Sequence, residues 1–202
     1  MTAPPAPAVR RMTGADALAV GELLALSLPD KLRAMLPRRR ASAAFLLGDV
    51  MLDSGDVWVA DDDGIAGVIC FQDAGRPWFT HSDWRTPRRY LPLDEAFRAA
   101  AFMTVFHAVS FPADELYIDT VAVHPARRRR GVGDALMRFA EAEALRRRRR
   151  SLSLYCIRRN TGAHAFYLRH GYRVVRSEDL WWCSFVLGFR ITDVMRKVLE
   201  PA

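Results

Sequence analysis

Residues 116–133 read Leu-Tyr-Ile-Asp-Thr-Val-Ala-Val-His-Pro-Ala-Arg-Arg-Arg-Arg-Gly-Val-Gly, and this order constrains the chain more than any other stretch. The β-branched run from Leu116 to Val123 predicts a strand, closed by His124-Pro125 because proline cannot donate to a ladder. From Gly131 to about Arg150 the apolar positions Val132, Leu136, Phe139 and Leu145 recur with helical period. The chain therefore passes from a strand through a tight basic turn directly into a helix. A helix N-terminus presents unpaired N–H groups and about half a positive charge, which suits it to hold a pyrophosphate. Gly131 and Gly133 let the backbone approach an anion with no Cβ in the way. Arg128, Arg129 and Arg130 add charge-assisted donors, including to a ribose phosphate. Taken alone, an ordinary strand-to-helix turn explains the same residues equally well.

The rest of the chain reads as one domain over residues 1–202, since 202 residues of half apolar composition bury one good core and not two. Residues 1–7 form a Pro- and Ala-rich flexible tail without the pattern of a signal peptide. No apolar run approaches the roughly 18 to 20 residues of a membrane span, so no membrane partner is expected and the cytoplasm follows by default. A strand is predicted near 8–12, then a helix from Thr13 to about Leu26 and a second over roughly 38–52. Asp61-Asp62-Asp63-Gly64 joins two β-runs, 56–60 and 65–71, as a hairpin. Residues 75–92, rich in Trp, Arg and Pro, read as a substrate-side loop, and 93–111 as a helix stopped by Pro112. Further on come a strand over 151–157, a short helix over 161–170 ending at Gly171, and strands over 172–175 and 180–187. A last helix over 192–199 falls within a C-terminal helical extension, 190–202. Residues 180–187 are apolar on both faces, which calls for burial either in a homodimer or as a central strand of a monomer.

The net charge of +7 invites a nucleic-acid reading, but the basic residues bunch at 38–40, 127–130 and 146–150 with no accompanying recognition motif. A solvated helix end plus one local anion site accounts for them, and nucleic acid is not the expected partner. Cys70, Cys156 and Cys183 lie in apolar strand-like segments without metal-ligand spacing, and read as reduced core residues; no metal is expected.

A second pattern lies downstream of the basic turn: Asn160-x-x-Ala163-x-x-x-Tyr167-x-x-x-Gly171-Tyr172. Arg128-x-x-Gly131-x-Gly133, preceded by a strand ending Val-x-Val-x-Pro at 121–125, resembles the Q/R-x-x-G-x-G/A signature of the GNAT superfamily of acyltransferases. The downstream pattern is similar to that family's Asn…Ala…Tyr…Gly-aromatic segment. Two motifs in order, separated by a helix and a strand, are far more specific than either one. The resemblance is good from about 56 to 175 and weaker over the N-terminal helices, while 75–114 and everything after 177 match no family motif.

The resemblance implies an α/β fold: a central, mixed but mostly antiparallel sheet of six to seven strands, splayed between the fourth and fifth, with helices on both faces. Coenzyme A, carrying an acetyl group, would enter the splay. Its pantetheine would pair with the edge at Val121, Ala122 and Val123, and its pyrophosphate would rest on Arg128, Arg129, Arg130, Gly131, Val132, Gly133 and Asp134. Asn160, with Ala163 and Phe166, would complete the cofactor contacts, though Asn160 reads equally well as a helix N-cap. The Val121 N–H would polarise the thioester carbonyl.

Tyr167 is the candidate general acid, since a phenol stays protonated at neutral pH. Asp119 is the first candidate base: strand alternation, barring a bulge, puts it on one face with Tyr117, Val121 and Val123. Glu115 is the second and His124 the third; the remaining histidines suggest no triad. Cys156 has no evident base beside it, which disfavours a covalent acyl-enzyme. The reading is an N-acetyltransferase acting by direct attack in a ternary complex; the alternative is a catalytically silent acyl-CoA-binding module. The acceptor, a small-molecule or peptide amine, stays open. Trp78, Trp84 and Tyr90 could form an aromatic pocket for it, or a lid packed on the core.

Overall fold

Seven strands, β1 (Ala8–Arg11), β2 (Val57–Asp61), β3 (Ile65–Asp73), β4 (Glu115–Val123), β5 (Ser151–Ile157), β6 (Arg173–Asp179) and β7 (Ile191–Val198), form one sheet in the order β1-β2-β3-β4-β5-β7-β6. All neighbours are antiparallel except β4 and β5, which are parallel. The computed structural model describes residues 7–28, 43–73, 85–107, 111–181, 184 and 189–199. Among them lie the helices α1 (Ala17–Ser27), α2 (Ala43–Ser54), α3 (Arg85–Tyr90), α4 (Leu93–His107), α5 (Val132–Arg146) and α6 (Thr161–Arg169). No helix of the described residues is long and apolar enough to cross a membrane.

Alternation along the strands divides the core between the two faces. Leu116 and Ile118 of β4 and Leu152, Leu154 and Cys156 of β5 join Val132, Leu136, Met137 and Ala140 of α5 and Tyr167 of α6 in one buried cluster. Val57, Val59, Val68, Cys70 and Ala122 turn the other way, onto Val20, Leu23 and Leu24 of α1. Each fully buried aliphatic side chain contributes about 1.5–3 kcal/mol, so both layers hold the sheet firmly at β3 and β4. Arg10 of β1 donates to Asp16 (2.8 and 2.9 Å) and to Asp61 (3.0 Å), tying the sheet's first edge to the start of α1.

Several expectations are corrected. The C-terminal segment is a strand and not a helix: Ile191, Thr192, Val194 and Val198 are β-branched, and β7 fills a slot between β5 and β6 that satisfies its backbone on both sides. Eight residues are too few for periodicity to separate the two. The expected irregular stretch 75–92 contains helix α3, with 74–84 outside the described residues. Of the strand expected over 180–187, most lies outside the described residues; Leu180 N–H donates to Arg190 O at 2.7 Å.

The arginine run at the end of α5 is also less solvated than expected. Arg146 and Arg147 both bind Glu143, Arg147 reaches Asp56 and Asp73, and Arg149 reaches Asp73. The side chain of Arg147 is only 14% exposed. These contacts staple the end of α5 to Asp56, just before β2, and to Asp73 of β3.

Candidate active site

β4 and β5 pair only from Glu115–Ser151 to Ile118–Leu154. Beyond that point β3 keeps hold of β4 as far as Val123, and β7 keeps hold of β5 as far as Ile157, so two edges diverge inside the sheet. His124 N–H donates to Ala66 O at 2.9 Å, which fixes the parity of the β3–β4 ladder. Thr120 and Ala122 turn their backbone groups to β3, and Val121 and Val123 turn theirs into the gap. Arg158 N–H donates to Ile191 O at 3.1 Å, so on β5 it is Tyr155 and Ile157 that face the gap. The Val123 carbonyl accepts from Ser27 Oγ (3.2 Å) and Arg128 Nε (3.3 Å), and the Ile157 carbonyl from Asn160 N (2.8 Å). Val121 keeps both N–H and C=O toward the wedge, whereas Tyr155 gives its N–H to the last β4–β5 pair, at Ile118, and leaves only its C=O to the wedge. Ala122, expected to share in this edge, is committed to β3.

The wedge opens toward the turn before α5. Each backbone N–H from Arg129 to Asp134 lacks an acceptor among the described residues. Arg129 (φ 60°) and Gly131 (φ 79°) adopt left-handed conformations, and such alternation turns successive N–H groups toward one concavity that suits an anion. Nothing lies within 4 Å of where a Gly131 Cβ would be, so the seat is open. Gly133 has a packing role besides the expected one: a Cβ there would stand 3.1 Å from the Phe166 ring, so this glycine admits Phe166 and with it the close approach of α6. Arg127 is drawn away to Asp62 at 3.0 Å, whereas Arg129 and Arg130 are exposed. Asp134, in the first turn of α5, meets His170 Nε2 at 2.9 Å.

Asn160 caps α6, its Oδ1 accepting from Ala163 N at 3.1 Å. Phe166 meets Tyr167 edge to face and lies tilted against His170, and Ala163 packs against the same core. Tyr167 is buried, with its ring 5.9 Å from that of Tyr172. Burial, with Cys156 adding to it, pushes the Tyr167 phenol well above its ordinary value, so it is protonated at neutral pH. Burial likewise raises the Cys156 thiol to about 11, with Asp193 contributing. Asp193 accepts from Arg158 (2.5 Å) and Ser177 (2.6 Å) and lies 3.0 Å from His164 Nε2, joining β7, β6, α6 and the end of β5.

The base candidates fare unequally. Cys70 faces Thr120 and Phe71 faces Ile118, so Asp119 is the extra residue of a β-bulge. Alternation is therefore broken there: Val121 and Val123 pack with Ile118 on the α5–α6 side, and Asp119 does not share their face as expected. Half-buried Asp119 accepts from Thr120 Oγ1 at 2.8 Å, at the first position past the last β4–β5 pair. Glu115 is buried at the closed end, where it accepts from Ser153 Oγ (2.5 Å) and Ser151 Oγ (3.3 Å) and meets Arg196 Nε at 2.6 Å. His124 Nδ1 accepts from Ala126 N at 3.2 Å, a local cap.

On the face away from α6, a cavity of about 350 Å³ reaches the apex of the wedge. Tyr117, Ser153 and Tyr155 form its near wall, and Val175, Arg176, Val194 and Arg196 its far wall. The sequence reading missed this site; Tyr155, alternating with Ser153 and Ile157 on a strand already assigned to the cleft, was the available signal. Of the aromatic residues expected near the substrate, Trp78 and Trp84 lie outside the described residues. Tyr90 donates to Asp49 Oδ2 at 2.5 Å and stacks on Phe45, which places it against α2 as part of the core covering.

A profile of the Acetyltransferase (GNAT) family matches residues 27–172. The chain belongs to the GNAT acetyltransferase family. Among curated proteins none matches. Solved structures similar to it include an N-acetyltransferase from Staphylococcus aureus Mu50 (18% identity, TM-score 0.65, covering 94% of this chain and 100% of that one). The ribosomal-protein-S18-alanine N-acetyltransferase from Escherichia coli is 16% identical with a TM-score of 0.57, covering 96% of this chain and 95% of that one. A third is yncA from Salmonella typhimurium, solved with its cofactor acetyl-CoA, at 15% identity and a TM-score of 0.56, covering 97% and 95% of the two chains. At these identities the structural likeness establishes the fold, and the seven-stranded sheet with its parallel β4–β5 pair is the GNAT fold.

GNAT proteins use acetyl-CoA, and the residues present fit it. The wedge offers an unpaired N–H and C=O at Val121 and the C=O of Tyr155, and the turn before α5 offers unpaired N–H donors flanked by Arg128, Arg129 and Arg130. Among the described residues no group of three or more His, Cys, Asp or Glu side chains is placed to hold a metal ion.

Proposed function

We propose that this GNAT acetyltransferase acetylates a primary amine by direct attack while donor and acceptor are bound together. The observation that carries the reading is the parting of β4 from β5 beyond Ile118 and Leu154, in line with the acceptor-free N–H groups of residues 129–134. Acetyl-CoA supplies an acetyl thioester whose C–S bond breaks as the C–N bond to the amine forms, leaving the N-acetylated product and coenzyme A. Arg128 to Gly133 would hold the diphosphate, and the edges at Val121 and Tyr155 would hold the amide-bearing arm by strand-like pairing.

Val121 N–H is the donor for the charge that develops on the carbonyl oxygen; a fixed amide in a dry gap needs no reorganisation to do so. Tyr167, kept protonated by burial, gives its proton to the departing sulfur. Asp119, through a water molecule, takes the proton that the ammonium must lose. Glu115 is engaged by two serines and Arg196 at the closed end, which supports Asp119 over it. A Cys156 thiol raised to about 11 is a poor nucleophile at neutral pH, in keeping with direct transfer.

The test is acetyl-CoA turnover across a panel of amines, alongside Tyr167→Phe. Coenzyme A release that depends on an amine and falls in the variant supports the reading. Tight acetyl-CoA binding with no turnover of any amine would mark a silent binding module.

A further inference from the structure

We propose that the cavity beside the wedge is the acceptor site and that its ligand carries an acid group in addition to the amine; this rests on the acetyl-transfer reading above. The cavity, about 350 Å³, is at the lower end of the range for small-molecule sites and has room for an amino acid or dipeptide. Its two walls differ in chemistry. Tyr117 and Tyr155, edge to face with centroids 6.0 Å apart, line the cavity at the wedge apex, and Asp119, the next position of β4, is close enough for its charge to act on the Tyr117 phenol. Aromatic faces and a carboxylate there suit an ammonium group.

The opposite wall carries Arg176 on β6 and Arg196 on β7, adjacent strands whose side chains border the same space. Arg196 Nε stands 2.6 Å from the buried Glu115, and its side chain remains 35% exposed. Its terminal guanidinium nitrogens have no hydrogen-bond acceptor among the described residues. Glu178 takes only Nη2 of Arg176, at 2.6 Å. Arg176 Nη2 also lies 3.4 Å from Tyr155 Oη, which leaves its Nε and Nη1 to spare; with Arg196, one strand from β5, it forms a receptor for a carboxylate, with the planar fork geometry that guanidinium favours. A ligand positive at one end and negative at the other matches this polarity, and a purely cationic polyamine does not.

The test compares L-alanyl-L-alanine, its C-terminal amide and butylamine as acceptors with the full chain and acetyl-CoA. Calorimetry measures binding of acetyl-CoA, and of each acceptor in the presence of coenzyme A. The expected result is a kcat/KM for the free acid about 10- to 100-fold above that for the amide, the range for a hydrogen bond to a charged group. Arg176→Met, at an exposed edge position, is expected to cut that preference about tenfold while acetyl-CoA affinity holds. Arg196→Met alone would strand Glu115, so it is made together with Glu115→Gln, and the double variant is expected to lose the preference likewise. Acetyl-CoA binding with no preference for the acid over the amide, or a preference that both variants retain, overturns this inference alone. Failure of the wild type to bind acetyl-CoA overturns it together with the reading on which it rests.

Discussion

Replacing Asp193 with Asn tests whether the charged knot at the mouth of the cleft holds α6 in place. The carboxylate is buried, yet its pKa falls from the ordinary 3.8 to about 2, chiefly because Arg158 donates to it and with smaller help from Ser177 and His164. That fall corresponds to roughly 2 kcal/mol in favour of the charged form, trimmed to about 1–2 kcal/mol because Arg158 is half exposed and partly screened. At about 2–4 °C per kcal/mol for a chain of this size, Asp193→Asn should lower the melting temperature at pH 7 by about 2–8 °C. The sign of the pH dependence follows from a depressed folded-state value. The stabilisation is complete above the unfolded value near 3.8 and is lost as pH falls toward 2, because the unfolded chain takes up the proton first. Urea unfolding of wild type and variant at pH 7, 5, 4 and 3 should therefore give a stability gap that is flat from 7 to 5 and narrows below 4. A gap of the same size at every pH, or none at pH 7, would show that Asp193 acts by packing or not at all, and the reasoning would fail.

Four further outcomes follow from the structure. Tyr167→Phe should lower kcat about 10²- to 10⁴-fold with acetyl-CoA affinity unchanged by calorimetry, since only the proton donor is removed. Gly133→Ala sets a methyl 3.1 Å from the Phe166 ring and should cost about 1–3 kcal/mol in urea unfolding; Gly131→Ala, strained only by its left-handed backbone, should cost about 1–2 kcal/mol and weaken acetyl-CoA binding. Arg147→Met leaves Asp56 without its cation, while Glu143 keeps Arg146 and Asp73 keeps Arg149, and should destabilise by about 1–3 kcal/mol, measured by the same unfolding.

The sequence was most informative where local chemistry dictates geometry. The strand–basic turn–helix passage at 116–133 and the Asn160-to-Tyr172 pattern each depend on residues that act on their own neighbours, so the turn and the helix after it could be read directly, while the wedge came only with the family resemblance. Asp119 shows the limit. Its bulge depends on how β4 registers with β3, a partner far away in sequence, so simple alternation grouped it with Val121 and Val123, which the bulge turns to the other face. Gly133 looked like a phosphate-contacting glycine only, yet it also neighbours a ring delivered by another helix. The cavity beside the wedge was missed for the same reason: Tyr117, Tyr155, Arg176 and Arg196 lie on four strands that only the sheet brings together. The C-terminal segment was misread because eight residues fit either periodicity, and what decides is the vacant slot beside β5.

That slot has a bearing on how the molecule is made. During synthesis, β5 emerges with one side bound for the cleft and the other bare, and β6 follows with nothing to join, since its place lies one strand away from β5. Only when residues 191–198 leave the ribosome can the second half of the sheet close. The donor-binding gap is thus among the last features to acquire its shape, and a nascent chain stalled before residue 191 would carry an uncovered β5 flank open to mispairing with other strands.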